Sequence, residues 1–188
     1  MYEKGGRGMK YAFIMNSRTL NPDIYSVRHQ DGGNLYYFTG VHGMKMTREL
    51  AKQLADDGFE LIDLCGNYNA EKVEEIRAAS EGKVKVTYAK YSEGDQEKFN
   101  ALEDTSRYGI IVLGFDLSEE LVRLVMESEE YNTYIAIVSK EEQAAEEAKK
   151  MVEEGIHFIE LCGYFDAEKA AAVSEAVAHR IPIGYCGS

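Results

Sequence analysis

The chain has 188 residues, 45% of them hydrophobic and 29% charged, a composition typical of a globular protein that can bury a core. Its net charge of −12 argues against a nucleic-acid partner, because nonspecific affinity for phosphates comes from Lys and Arg. No run approaches the roughly 20 apolar residues that cross a bilayer, and the N-terminus lacks the apolar core of a signal peptide. We therefore predict a cytoplasmic protein that binds neither nucleic acid nor membrane.

The first half of the chain alternates short apolar runs with amphipathic stretches. Residues 1–8 are predicted to be a disordered leader, and Met9 is an alternative start. Hydrophobic periodicity predicts helices at 47–57 and 70–80 and strands at 11–15, 35–41, 59–65 and 84–88. Between the first two strands, residues 16–33 are rich in polar and basic side chains, and a loop of this length in a compact unit is usually functional or disordered.

The second half shows the same alternation after a predicted linker at 93–106, within which 96–102 has a weak helical pattern. Its strands are predicted at 109–113, 134–138, 158–162 and 181–185, and its helices at 118–128, 140–154 and 166–179. Gly155 is expected to end the second of these helices in the left-handed conformation. Asp166 is expected to cap the last helix by accepting from an unpaired amide.

The two halves are copies of one unit. The segment from Gly58 to Gly66 recurs 97 residues later between Gly155 and Gly163, and the match runs without a gap from Tyr11 against Tyr108 onward. We predict two repeats of common ancestry at 9–92 and 107–188.

The order of elements predicts an α/β fold built from a duplicated β-α-β-α-β-α-β unit with parallel strands and right-handed crossovers. Eight strands in all can close into a TIM-barrel-like structure, or they can form two four-stranded lobes related by a pseudo-two-fold axis. The length lies below the roughly 200 residues usual for such a barrel, so both architectures remain open.

An acid occupies the same place in the repeated strand of each half, at Asp63 and Glu160. Alternation along the strand puts both in partly buried positions, where a carboxyl group requires a hydrogen-bonding partner or a solvated pocket. One hypothesis makes the pair a general acid or base, or ligands of a divalent cation. The other makes each a structural latch to backbone amides or to an Arg of the neighbouring repeat.

Cysteine and glycine follow the acid in both copies, as Cys65-Gly66 and Cys162-Gly163. These strand-to-helix turns precede helix N-termini, whose free amides favour an anion, and Asn67 lies in the first of them. A thiol at such a place can be a nucleophile or a small packing residue. The spacing supports no closed zinc site, the odd number of cysteines argues against a disulfide framework, and we predict no resident metal.

The halves differ in their polar side chains. His42 follows the second strand and corresponds to Ser139, while Arg18 lies in the polar segment whose counterpart around Phe115 is apolar. If only one half has kept a functional site, the first half is the better candidate. The alternative is that His42 and Arg18 belong to a solvated surface loop. The sequence contains no glycine-rich phosphate-binding loop, so it gives no support for a nucleotide cofactor. The cofactor, if any, stays unknown.

The second half resembles a family of small bacterial α/β proteins of unknown function, about half as long as this chain, that carry a similar Ile-Glu-Leu-Cys-Gly segment. The resemblance lies in residues 159–163, in the preceding 153–155 and in the terminal 181–184. The first half departs from the pattern, with Asp63 for the acid and with Lys85 and Thr87 where Pro182 and Gly184 stand. The resemblance implies a tandem of two such units and no particular activity.

These observations favour a small-molecule-binding protein with a pocket at the strand carboxyl ends. In its enzymatic form, a lyase or isomerase, Asp63 or Glu160 transfers a proton while His42 and Arg18 hold an anionic substrate. The alternative is a noncatalytic binding or assembly protein in which the repeated acids and cysteines are structural, and a third hypothesis is a metal-binding regulator using Cys65, Cys162 and Glu160. The protein is expected to be a monomer or a homo-oligomer.

Overall fold

A computed structural model describes residues 8–188. The chain divides into two compact units, the first ending at Thr87 and the second comprising Tyr88–Ser188. The predicted leader lies outside the described residues except for Gly8. Met9 is buried, and its N–H donates to Asn34 Oδ1 at 2.8 Å.

The first unit is a five-stranded sheet with two helices. Its sheet order is β2-β3-β1-β4-β5. The elements are β1 (Lys10–Asn16), β2 (Ser26–Asp31), β3 (Asn34–Val41), α1 (Gly43–Asp56), β4 (Leu61–Cys65), α2 (Ala70–Ala79) and β5 (Lys85–Tyr88).

The second unit repeats this plan and adds an edge strand and a helix before it. Its six strands have the order β6-β11-β10-β7-β9-β8. The elements are β6 (Lys90–Tyr91), α3 (Glu93–Asn100), β7 (Arg107–Leu113), β8 (Leu121–Glu127), β9 (Asn132–Val138), α4 (Glu142–Glu153), β10 (Phe158–Leu161), α5 (Ala167–Ala176) and β11 (Ile183–Tyr185).

Strand register preserves the 97-residue offset. Tyr11 lies opposite Leu61 in the first sheet, and Tyr108 lies opposite Phe158 in the second. The offset also holds in the antiparallel hairpins, where Ser26 pairs with Thr39 and Arg123 pairs with Ala136. The duplication read from the sequence is therefore present in the backbone pairing of both units.

Two predictions about the sheets are wrong. Residues 118–128 do not form a helix but contain β8, and the polar segment 16–33 contains β2, so the repeated part of each unit has the order β-β-β-α-β-α-β. β2 and β8 are edge strands in antiparallel hairpins, and β6 also pairs antiparallel, so the strands are mostly rather than entirely parallel. The described residues form two open sheets, which confirms the two-lobed alternative and not the closed eight-stranded barrel, but the sheets have five and six strands rather than four each.

The helices that follow β3 and β9 cover their sheets with a narrow apolar stripe. In α1 this stripe is Thr47, Ala51, Leu54 and Ala55, at the spacing of one helical face. Gly58 follows the C-cap of α1 and Gly155 follows that of α4, both with φ near +80°, which confirms the predicted left-handed glycine after α4. The Asp166 side chain accepts from Lys169 N–H at 3.0 Å, which confirms the predicted cap of α5.

Candidate functional site

The acid of the first unit lies inside the sheet. Asp63 is the third of five residues in β4, pairs with Phe13 of β1 and is 0% exposed. Its Oδ2 accepts a hydrogen bond from the Tyr11 hydroxyl at 2.8 Å, and its Oδ1 accepts one from the Thr87 hydroxyl. Both oxygens are thus bound by hydroxyl groups of the same unit, an arrangement that meets the cost of burying a carboxyl group.

The equivalent acid is bound by a different residue. Glu160, in β10, is 2% exposed and accepts from the Tyr91 hydroxyl at 2.6 Å. The counterpart of Thr87 is Gly184, and a Cβ added there would lie 2.7 Å from the Tyr91 ring. The phenol of β6 therefore crosses the space that the threonine side chain occupies in the first unit. Each unit keeps a hydroxyl donor to its acid, but the donor comes from a different strand.

The cysteines after these strands are buried. Cys65 is 6% exposed and Cys162 is 0% exposed, and all three cysteines of the chain are outside disulfides. The Leu113 N–H donates to Cys162 Sγ at 3.3 Å. Both thiols belong to the packed interior of their units.

Three neighbouring strands of the first unit are followed by exposed polar residues. The strands are adjacent in the order β3-β1-β4, so the end of β1 lies between the ends of the other two. Asn16 of β1 pairs with Val41 of β3. Its carbonyl oxygen would lie 2.9 Å from a Cβ added to Gly66, which follows β4. The exposed residues just beyond these three strand ends include Arg18, His42 and Asn67. The fold therefore brings these three predicted site residues to one edge of one sheet, which we call the polar edge.

The polar edge is built on a tight backbone. Gly66 has φ of +105°, a conformation that side chains rarely adopt, and the close Asn16 carbonyl leaves no room for a Cβ. The Asn16 side chain accepts from Gly43 N–H at 2.9 Å and so ties the end of β1 to the start of α1. His42 is the N-cap residue of α1, and its N–H donates to Met46 Sδ at 3.4 Å.

Behind the polar edge a buried tyrosine closes the space between α1 and the turn after β4. The Tyr68 hydroxyl lies 2.8 Å from the Thr47 hydroxyl. Burial raises the pKa of Tyr68, against the opposing effect of its hydrogen bond to Thr47.

The second unit presents aromatic residues at the corresponding edge. Phe115 and Tyr164 occupy the positions of Arg18 and Asn67, and their rings form an edge-to-face pair with centroids 5.0 Å apart. This contact shows that side chains at these two positions of the scaffold reach each other. Gly163, the counterpart of Gly66, lies beside Gly187, since a Cβ on Gly187 would be 3.1 Å from the Gly163 carbonyl oxygen.

The structure separates the predicted site residues into three groups. Asp63 and Cys65 belong to the interior of the first unit, Glu160 and Cys162 belong to the interior of the second, and Arg18, His42 and Asn67 belong to the polar edge. Sequence reasoning missed Tyr11, Thr87 and Tyr91 as the donors to the two acids. Tyr11 carried a signal, since it recurs as Tyr108, whereas Tyr91 lies on a two-residue strand that leaves no periodic pattern.

Residues 8–188 contain no group of three or more His, Cys, Asp or Glu side chains arranged to hold a metal ion. Within the same range, no helix combines the length and the apolar character needed to span a bilayer.

Fold and edge together define a tandem α/β protein made of two homologous units, each with a buried acid on an interior strand that accepts a hydrogen bond from a hydroxyl group. The chain belongs to a family of unknown function (DUF6506), whose model matches twice, at residues 9–104 and 106–187. The double match agrees with the tandem duplication. A search of the curated proteins finds no match.

Proposed function

We propose that the protein binds a small anionic molecule at the polar edge of its first unit, and that the two repeated acids support the fold. The observation that carries the proposal is the convergence of Arg18, His42 and Asn67 just beyond three adjacent strand ends. In open α/β sheets, ligands bind outside the carboxyl ends of the strands.

The chemistry of the polar edge suits a carboxylate or a phosphate. Arg18 supplies a planar fork of N–H donors, and Asn67 supplies an amide that can both donate and accept. The edge also contains the N-terminus of α1, whose partial positive charge attracts anions, and the first turn of α1 contains no acidic residue.

The second unit supports the proposal by contrast. The same scaffold carries Phe115, Ser139 and Tyr164 where the first unit carries Arg18, His42 and Asn67. The backbone does not require polar side chains at these positions, because an aromatic pair occupies two of them in the second unit. Their presence in the first unit therefore favours binding over a structural requirement.

A lyase or isomerase reaction at the polar edge is the second candidate, and the exposed imidazole of His42 is the observation that favours it. Histidine is the side chain most often used to transfer a proton to or from a substrate. Asp63 is the weaker candidate for this role, because it is fully buried and accepts from two hydroxyl groups of its own unit.

The test replaces two residues of the polar edge with the residues at the same positions of the second unit. Thermal unfolding of the wild type and of the double variant Arg18→Phe/Asn67→Tyr is recorded with inorganic phosphate, sulfate and succinate at constant ionic strength. At least one anion is expected to raise the melting temperature of the wild type, and the double variant is expected to lose most of that shift. The proposal fails if none of the anions stabilises the wild type specifically, or if the variant responds equally.

The matched control is Phe115→Arg/Tyr164→Asn in the second unit. It alters the same two scaffold positions and leaves the polar edge intact, so it is expected to retain the wild-type response. Loss of the response in this control alone would place the ligand in the second unit.

A further inference from the structure

Two cysteines of the second unit lie side by side on neighbouring strands. β10 and β11 pair in parallel with Leu161 opposite Tyr185, and the ladder continues through Cys186 N–H, which donates to the Leu161 carbonyl at 2.9 Å. This register places Cys162 opposite Cys186, one residue past each strand. Neighbouring strands are about 4.8 Å apart, which falls within the Cα separation of disulfide-bonded cysteines.

The backbone around this pair is held in place on both sides. Gly187 N–H donates to the Phe165 carbonyl at 3.0 Å, and Lys90 Nζ donates to the Gly187 carbonyl at 2.6 Å. The terminal segment that carries Cys186 is therefore fixed against the turn that follows Cys162.

The Cys162 sulfur has two polar neighbours. It accepts from the Leu113 N–H at 3.3 Å, and it interacts electrostatically with Lys169 in the first turn of α5. The pKa of Lys169 is raised chiefly by its hydrogen bond to Glu141, with smaller contributions from Asp166 and Cys162. An N–H donor and a nearby ammonium group favour the thiolate, and the Lys169 ammonium is shared with Glu141 at 2.9 Å.

The first unit lacks this pair. Cys65 is the counterpart of Cys162, but Ala89 stands at the position of Cys186. Cys65 is 6% exposed, whereas Cys162 and Cys186 are 0% and 1% exposed. If exposure to solvent decided the order of oxidation, Cys65 would be oxidised first. Oxidation of Cys162 and Cys186 before Cys65 would instead indicate that the two react as a pair.

We propose that Cys162 and Cys186 are a redox pair that closes to a disulfide when a small peroxide oxidises the protein. The Cys162 thiolate attacks a peroxide oxygen, so that an S–O bond forms, the O–O bond breaks and hydroxide leaves as water after protonation. The Cys186 thiol then attacks the sulfenic sulfur, the S–S bond forms and a second water leaves. Two thiols are oxidised and one peroxide is reduced to two waters, and a dithiol reverses the change by exchange.

The full chain is treated with a small molar excess of hydrogen peroxide under native conditions, denatured, alkylated with a maleimide and digested with trypsin. The three cysteines fall in different tryptic peptides, at 53–72, 151–169 and 181–188. The proposal expects a disulfide between the second and third peptides, an alkylated Cys65, and full recovery of three alkylated thiols after treatment with dithiothreitol. Three alkylated thiols after peroxide, or a disulfide that includes Cys65, would overturn it.

Cys186→Ala is the matched variant, because it gives the second unit the cysteine and alanine arrangement of the first. Cys162 is then expected to stop at the sulfenic acid, because the thiol that would displace its oxygen is gone, with no intramolecular disulfide. A disulfide between Cys65 and Cys162 in this variant would show that cross-linking follows unfolding rather than the register of β10 and β11. If the variant folds poorly, the peptide map of the oxidised wild type still tests the proposal.

Discussion

The Tyr91 hydroxyl donates to Glu160 across the space left open by Gly184, as the Thr87 hydroxyl donates to Asp63 in the first unit. The duplicated sheets thus keep a hydroxyl bonded to the acid while the residue that provides it differs. Glycine at the position of the threonine leaves room for an aromatic ring, and the edge strand β6 supplies that ring.

Removal of either hydroxyl donor is expected to destabilise the protein. Thr87→Val and Tyr91→Phe should each lower the free energy of unfolding by about 1–3 kcal/mol, because each leaves a buried carboxyl oxygen without that donor. Urea unfolding measures the change, with the half-buried Tyr88→Phe as a control outside the network. Losses no larger than that of the control would argue that these hydrogen bonds contribute little.

Gly184 and Tyr91 are expected to be energetically coupled. Gly184→Thr alone should cost about 1–3 kcal/mol, since its Cβ would lie 2.7 Å from the Tyr91 ring. In a Tyr91→Ala background the same change should cost at least about 1 kcal/mol less, because the ring is gone. A double-mutant cycle from urea unfolding gives the coupling, and strict additivity of the two changes would contradict the account.

The glycine at the polar edge should tolerate a side chain less well than a glycine in open space. Gly66→Ala is expected to cost roughly 2–3 kcal/mol, because φ is +105° and the Asn16 carbonyl blocks the Cβ. Gly82→Ala is the control, with φ of +67° and no atom within 4 Å of the added Cβ, and should cost roughly 1 kcal/mol. Chemical denaturation compares the two, and equal losses would show that the contact with Asn16 relaxes freely.

Alkaline pH should reveal the burial of Tyr68. Its pKa is raised in the folded protein, so its contribution to stability is complete below the unfolded value of about 10 and is lost as the pH rises through the higher folded value. One such group contributes a slope of at most about 1.4 kcal/mol per pH unit. Tyr68→Phe should make the decline of stability above pH ~10 shallower, as followed by urea midpoints. An unchanged slope would mean that Tyr68 ionises alike in the folded and unfolded chains.

The interior of both sheets could be predicted from the sequence, and the edges could not. Central strands such as β4 and β10 are apolar apart from a single acid in each, and α4 has a clear helical stripe, so their positions followed from the hydrophobic pattern. β8 has apolar residues at spacings that also fit a helix, and its pairing with β9 decides the outcome. β2 is largely polar, because an edge strand with a solvated face needs few apolar residues.

For the candidate site, the sequence predicted the two acids but not the residues that bind them. Repetition predicted partly buried acids at Asp63 and Glu160, and the structure buries both almost completely, at 0% and 2% exposed. Their hydroxyl partners lie on other strands at large sequence separation, with Tyr91 on a strand of two residues, so no local pattern marks them. The common edge of Arg18, His42 and Asn67 likewise depends on the strand order β3-β1-β4, which a linear sequence does not display.

Amide chemical-shift mapping tests the proposed site most directly. The ¹⁵N-labelled chain is titrated with the anion that gives the largest thermal stabilisation, and the shifts of backbone amides are followed by residue. The account predicts saturable shifts concentrated at Arg18, His42, the first turn of α1 and Asn67, with the second unit unchanged. Shifts centred on the second unit, or shifts that rise linearly over the whole surface without saturation, would contradict it.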